Sequence, residues 1–266
     1  MTNQYGGVPA ARNAATTETE MTYCVGLLLD EGLVMLADTR TNAGVDNIST
    51  FTKLHVFSEP GERMIAAMTA GNLAISQAVM NLLQEGLTDP ESGTTETILT
   101  VPTMFRAASL VGEAVRHVHR VHGKAMAEHG VAFDVSILLG GQIAGRTMRL
   151  FQVYAAGNFV EATVDTPFLQ VGEHKYGKPI LDRAVTVDTP LVDAVKLALI
   201  SMDSTLRSNL TVGMPLDLLV HGRDSEQAPK VRRIDEDDAY FRSLRQHWSD
   251  AISAAHRGIP APAWDL

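Results

Sequence analysis

Short apolar runs separated by turn-forming residues dominate the chain after residue 21, and runs of this length are typical of β-strands. The strands predicted from these runs are Thr22–Leu29, Leu33–Ala37, Leu54–Phe57, Met64–Met68, Val135–Leu139, Met148–Tyr154, Phe168–Val171 and Pro215–His221. The first two are joined by the tight turn Asp30-Glu31-Gly32 and therefore form a hairpin. A further strand, carrying Lys53, is predicted after the polar loop that follows this hairpin.

Longer segments carry apolar residues at helical spacing. The predicted helices are Leu73–Gln84, a long helix from about Pro102 to Ala127, Pro190–Leu206 and Asp235–His256. Thr189 is the candidate N-cap of the third helix, with Pro190 at its first helical position.

The order of these elements predicts the fold class. Strands, then two helices, then strands and further helices are typical of an α+β protein and not of alternating βαβ units. Two antiparallel sheets stacked face to face, with helices on both outer faces, bury all of these elements. The sequence therefore predicts a four-layer αββα sandwich.

The chain divides into three predicted regions: 1–21, 22–257 and 258–266. Residues 1–20 are small, polar and without periodicity, so this segment is predicted to be disordered or absent from the mature protein. Met21 is either the true start or the end of a propeptide, and both routes expose the α-amino group of Thr22. No Gly precedes Thr22, which favours the later start. Residues 22–257 are predicted to form one domain, followed by an exposed tail.

Composition excludes several classes of function. A net charge of −9 and a pI near 5.4 argue against a nucleic-acid surface, which needs clustered Lys and Arg. The single cysteine, Cys24, excludes an intrachain disulfide and a multi-cysteine metal site. No apolar run approaches 18 residues, and the N-terminus lacks the apolar core of a signal peptide. We therefore expect a cytoplasmic protein with no nucleic-acid or membrane partner.

Four residues of the predicted meander are expected to converge at one end of a sheet: Thr22, Asp38, Arg40 and Lys53. An N-terminal threonine supplies both a nucleophile and a base, because Oγ1 attacks while its own α-amine, with a pKa of roughly 7.7–8.0, accepts the proton. Lys53, held by Asp38, would place a positive charge beside Oγ1. The backbone N–H of Gly71, at a strand-to-helix turn, would face the developing oxyanion. This chemistry needs no cofactor and no metal.

Each of these residues also fits an ordinary structural role. Thr22 is a common strand residue, and Asp38 fits a solvated strand end. Lys53 fits an exposed sheet edge, and Gly71 a plain helix entry. Their joint order and spacing favour the catalytic interpretation.

The same residues carry a family resemblance. Thr22, Asp38-Thr39-Arg40, Lys53 and Thr69-Ala70-Gly71 resemble the set found in proteasome β-subunits and similar N-terminal nucleophile hydrolases of the HslV type. The segments MTYCVG, DTRTNAGVD, ISTFTKLHVF and MDSTLRSNLTVG are similar to those of the bacterial proteasome-like Anbu group. The resemblance covers nearly all of residues 21–245.

The chain departs from the family pattern at two places. Glu173 stands where the family usually carries a serine followed by glycine. The family also carries an Asp on the third long helix, where the local candidates are Asp203, Ser204, Thr205 and Ser208. Ser204 and Ser208 lie four residues apart on one helical face and are tentative site residues, but the sequence does not choose among the four. These departures put ordinary peptidase activity in question.

The resemblance implies a threonine-type peptidase inside a homo-oligomeric ring, acting on peptides or proteins. Two alternatives stay open: an amidase or transferase on a small substrate, and a non-catalytic ring that only binds partners. The sequence does not indicate whether an ATP-dependent unfoldase is a partner, nor the size of the ring. Helices 73–84 and 102–127 are the expected contact surfaces between subunits.

Overall fold

The computed structural model describes residues 22–42, 48–89 and 92–264. The predicted extension 1–21 lies outside these residues. The strands are β1 (Tyr23–Leu29), β2 (Gly32–Asp38), β3 (Arg40–Asn42), β4 (Ile48–Thr50), β5 (Leu54–Glu59), β6 (Arg63–Gly71), β7 (Leu87–Thr88), β8 (Thr95–Glu96), β9 (Val135–Ile143), β10 (Arg149–Val153), β11 (Phe159–Glu161), β12 (Phe168–Gly172), β13 (Leu216–Gly222) and β14 (Lys230–Ile234). The helices are α1 (Leu73–Glu85), α2 (Met104–Glu128), α3 (Lys178–Ala184), α4 (Leu191–Ser208) and α5 (Ala239–Gly258).

Within the described residues, the longer strands form two five-stranded sheets. The first sheet has the order β12-β1-β2-β13-β14, and the second has the order β11-β10-β9-β6-β5. Every neighbouring pair in both sheets is antiparallel. The short pairs β3–β4 and β7–β8 stand apart from these sheets.

Three separate apolar clusters show how the layers stack. Residues from β5, β6, β9 and β10 pack against α1 and α2 in one cluster. In a second cluster, one face of the first sheet packs against α3, α4 and α5. The third cluster contains only residues from the sheets and their connecting segments, among them Cys24, Met35, Met68 and Leu138, and it lies between the sheets. The layers therefore follow the order helices, sheet, sheet, helices. This order confirms the predicted αββα sandwich.

The central strand β2 explains why some strands lack a polar face. All seven of its residues are buried, because Val34 and Leu36 face the helices while Leu33 and Met35 face the second sheet. The continuous apolar run in the sequence reflects burial on both sides.

Three expectations at element boundaries were wrong. Lys53 lies one residue before β5 and not inside a strand. The third predicted helix begins at Leu191, with Pro190 as its N-cap. Thr189 does not cap it, because its Oγ1 instead accepts a hydrogen bond from the N–H of Thr186 at 2.9 Å and closes a turn. The last helix begins at Ala239, because Asp238 caps it through the N–H of Phe241.

Glu31, in the turn between β1 and β2, stabilises the start of α4. Its Oε2 accepts a hydrogen bond from the N–H of Leu191 at 2.8 Å, at a helix end where no cap side chain binds. We expect Glu31→Ala to lower the free energy of unfolding by about 1 kcal/mol, the usual cost of a lost cap. Urea unfolding at fixed protein concentration measures this, with Glu62→Ala in the exposed β5–β6 turn as the control. Equal midpoints for the two variants would contradict it.

None of the helices in the described ranges is both long enough and apolar enough to cross a membrane.

Candidate active site

Thr22 lies immediately before β1, where the first sheet meets the second. Its carbonyl oxygen accepts a hydrogen bond from the N–H of Glu173 at 2.8 Å, so the ladder between β1 and β12 continues to Thr22 itself. Gly172 allows this close approach: it has a φ of 80°, and a β-carbon there would overlap the carbonyl of Thr22. Thr22 is 5% exposed. The nucleophile candidate is therefore held on its backbone side by β12.

The ammonium group of Lys53 lies against the hydroxyl of Thr22. Its Nζ donates to Thr22 Oγ1 at 2.8 Å, to Asp38 Oδ1 at 2.7 Å and to the carbonyl of Arg40 at 2.6 Å. An ammonium has three N–H donors, and these three acceptors use all of them. Lys53 therefore acts on Oγ1 as a charged donor and is not arranged to take a proton from it.

Asp38 is fully buried at the end of β2 and fixes Lys53. Its Oδ1 also accepts from the N–H of Tyr23 at 3.1 Å, and its Oδ2 accepts from the N–H of Gly213 at 3.2 Å. Burial raises the pKa of Asp38 above the ordinary value for aspartate, while the charge and hydrogen bond of Lys53 and the two backbone N–H groups oppose that rise. The carboxylate connects the strand of Thr22, the lysine and the loop before β13.

Arg40 supports this arrangement from outside. Its carbonyl is the third acceptor of Lys53, and its guanidinium donates to the carbonyl of Leu210 at 2.9 Å. The same guanidinium lies against Gly213, where a β-carbon would overlap it. Arg40 thus joins the lysine to the loop that supplies the second backbone donor of Asp38.

Gly71 is the last residue of β6, two positions before α1 begins. Its φ of 95° is in the region that favours glycine, and a β-carbon would overlap the carbonyl of Asp134, directly before the adjoining strand β9. Thr69, two residues earlier, donates its N–H to the carbonyl of Lys53 at 3.2 Å. Gly71 therefore follows the part of β6 that runs beside Lys53, and the role of its N–H toward an oxyanion stays a prediction.

The four residues of α4 that were candidates for supporting Thr22 make their contacts away from it. Asp203 binds Arg207 and Arg245, which ties α4 to α5. Ser204 Oγ donates to the carbonyl of Ile200, and Thr205 Oγ1 donates to that of Ser201. Ser208 is exposed at the end of the helix. These contacts do not connect the four side chains to Thr22.

A hydrogen bond from α4 to β1 comes instead from Ser201, which the sequence did not suggest. Its Oγ is hydrogen-bonded to the hydroxyl of Tyr23 at 2.6 Å, and Gln170 donates to the same hydroxyl at 2.5 Å. Tyr23 is fully buried and directly follows Thr22. A tertiary contact between residues 178 positions apart leaves no local signal in the sequence.

Cys24 lies two residues beyond Thr22 in the layer between the sheets. It is fully buried, and burial raises the pKa of its thiol. The thiol is therefore neutral near pH 7 and packs as a small apolar side chain. Across the described ranges, no group of three or more His, Cys, Asp or Glu side chains is placed to hold a metal ion.

Two antiparallel sheets between helical layers, with a threonine directly before the interior strand β1, define the proteasome-like N-terminal nucleophile fold. No protein-family model and no curated protein matches the chain. Solved structures do match it closely. The chain is 49% identical to an Anbu (Gly-1) mutant from Hyphomicrobium sp. strain MC1, with a TM-score of 0.83, over 92% of this chain and 100% of that one.

Two further Anbu structures agree. Anbu (ancestral beta-subunit) from Yersinia bercovieri is 48% identical, with a TM-score of 0.82, over 92% of this chain and 100% of that one. The helical assembly of the Anbu complex from Pseudomonas aeruginosa is 50% identical, with a TM-score of 0.83, over 91% of this chain and 98% of that one. The chain belongs to the Anbu family of proteasome-like proteins, and the predicted resemblance is confirmed.

Proposed function

We propose that this protein is a threonine-type endopeptidase that works in a homo-oligomeric assembly, with residues 22–257 as its catalytic domain. One observation carries the proposal: the buried ammonium of Lys53 donates to the hydroxyl of Thr22 while Asp38 holds it in place. A positive charge fixed at this distance stabilises the oxygen as it loses its proton.

The proposed reaction begins when Thr22 is the first residue of the chain. Its α-amine takes the proton of Oγ1, and Oγ1 attacks the carbonyl carbon of the scissile peptide bond. The N–H of Gly71 donates to the tetrahedral oxyanion. The α-ammonium then gives its proton to the leaving amine, which departs and leaves an ester on Thr22. Water, deprotonated by the same amine, hydrolyses the ester and regenerates the hydroxyl.

Self-assembly is supported by exposed apolar side chains and by a relative. The Anbu complex from Pseudomonas aeruginosa has been solved as a helical assembly. In the present chain, Phe105 and Val121 on α2, and Ile252 on α5, are each at least half exposed. Trp264 in the tail is 70% exposed. We propose that these side chains become buried against another subunit in the assembly. We place the assembly in the cytoplasm, where the free thiol of Cys24 stays reduced.

A peptide epoxyketone tests the proposed activity, because its reaction requires both a hydroxyl and an amine on the same residue. The protein is prepared with Thr22 as its first residue, incubated with the reagent and analysed by intact mass and peptide fragmentation. We expect one adduct per chain, located on Thr22, and none on Thr22→Ala. An unmodified wild-type chain, or equal labelling of both proteins, would overturn the proposal.

A further inference from the structure

Glu173 lies directly across from Thr22 in the first sheet. Tyr23 pairs with Gly172 in the antiparallel register, and the N–H of Glu173 donates to the carbonyl of Thr22 at 2.8 Å. Opposite residues of an antiparallel pair project their side chains to the same face. The preceding pair on that face, Cys24 and Val171, lies in the layer between the sheets. The side chains of Glu173 and Thr22 therefore face the same cleft.

The carboxylate of Glu173 is buried and incompletely bonded. The residue is 6% exposed, and its Oε2 has no hydrogen-bond partner among the described residues. Lys175 Nζ is 3.1 Å from this oxygen, which makes an ion pair without hydrogen-bond geometry, and the lysine side chain is 64% exposed. A buried carboxylate oxygen of this kind requires a donor.

The other charged groups around the cleft either bind another residue or face solvent. Lys53 and Asp38 bind each other. His174 is exposed and its Nδ1 lies 3.0 Å from the carbonyl of Gly172. Asp134, directly before β9 and next to Gly71, is acidic and exposed, and partial desolvation raises its pKa. None of these supplies the missing donor to Glu173.

We infer that the missing donor is the α-ammonium of Thr22, and that Glu173 is a positioning residue for it. The nitrogen of Thr22 belongs to the residue whose carbonyl is paired with Glu173, so the amine and the carboxylate lie at the same register position on neighbouring strands. A carboxylate at this place fixes the amine on the same side as Oγ1. This inference rests on the proposed function only in requiring a free amine on Thr22.

The pairing has a measurable consequence for the amine. A nearby carboxylate favours the ammonium form and so raises the pKa of the α-amine, typically by one or more pH units when the groups are in contact. Because only the neutral amine can accept the proton of Oγ1, the same pairing shifts acylation of Thr22 to higher pH.

The pKa of the α-amine can be measured without any catalysis. The folded chain beginning at Thr22 is reductively methylated with formaldehyde and cyanoborohydride across a pH series, and the N-terminal peptide is quantified by mass spectrometry. We expect the midpoint for Glu173→Gln to lie about one pH unit below that of the wild type. The matched control Glu62→Gln, on an exposed turn, is expected to leave the midpoint unchanged. Equal midpoints for wild type and Glu173→Gln would overturn the inference.

The pH profile of epoxyketone labelling provides the second measurement. Labelling of Glu173→Gln is expected to reach half its maximal rate about one pH unit lower than that of the wild type, while circular dichroism shows the same fold. A shifted amine midpoint in a protein that is never labelled supports the inference and contradicts the proposed activity. Labelling with identical profiles in both proteins contradicts the inference and supports the activity.

Discussion

Replacement of Lys53 by methionine is expected to abolish labelling of Thr22 and to destabilise the fold by about 3–5 kcal/mol. The change leaves Asp38 fully buried without its counter-charge, which is the costly way to break a buried ion pair. Lys178→Met is the control: it removes the same charge from an exposed pair with Asp182, where about 0.2–1 kcal/mol is at stake. Urea unfolding at fixed protein concentration measures both, and a similar loss in the two variants would show that the buried pair has no special structural role.

The Lys53→Met variant is also expected to be more stable at pH 5 than at pH 8. Burial raises the pKa of Asp38, and the change removes the lysine that opposes the rise. The folded state then holds the proton more tightly than the unfolded state, whose aspartate pKa is about 3.9. Stability present at low pH is therefore lost as the pH rises from about 3.9 through the raised value. The double variant Lys53→Met/Asp38→Asn is expected to lose this pH dependence and to recover part of the stability, since no charge remains buried.

The second large effect concerns the free amine of Thr22. A preparation that begins at Met21, released from a cleavable fusion, is expected to be labelled by a peptide vinyl sulfone, which reacts with the hydroxyl alone, about 10²–10⁴-fold more slowly than one that begins at Thr22. In the longer chain the nitrogen of Thr22 is an amide, which cannot accept the proton of Oγ1. Thr22→Ser, in a chain that begins at that serine, is the control and is expected to retain labelling because hydroxyl and amine are both present. Equal rates for the two start sites would mean that another group is the base.

The sequence allowed the sandwich to be predicted because the buried strands carry their own signal. In β2 and β9 the apolar runs reflect packing on both faces, and their turns contain Gly and acidic residues. The elements that were missed bury little. In β14 only Ile234 is buried, and in α3 only Leu181 is. The strand β11 has only three residues. Elements that bury so little carry too weak a pattern to be recognised.

The last helix shows the opposite error. Its apolar residues Phe241, Leu244, Trp248 and Ile252 predicted one packed face, yet only Phe241 is buried in the structure and Ile252 is half exposed. A helical period identifies an apolar face but does not say whether the same chain covers it.

The sequence predicted those residues of the candidate site that lie close together along the chain. Thr22, Asp38 and Lys53 are separated by at most 31 positions, so their order along the chain suggested that they meet. The structure brings all three together, although Lys53 directly precedes a strand of the second sheet and does not belong to the predicted meander. Partners contributed by distant segments had no such signal. The N–H of Gly213 at Asp38 and the hydroxyl of Ser201 at Tyr23 come from residues more than 170 positions away. Gly71 and Arg40 lie beside the site, and their chemical roles stay predictions.

Lys53 precedes an edge strand of one sheet, whereas Thr22 and Asp38 belong to the other, so their hydrogen bonds cross the boundary between the two halves of the sandwich. These hydrogen bonds form only when the two sheets have docked. Under the proposed mechanism, a subunit therefore becomes able to cleave peptide bonds only when its folding is complete. A nascent or misfolded subunit does not hydrolyse other proteins.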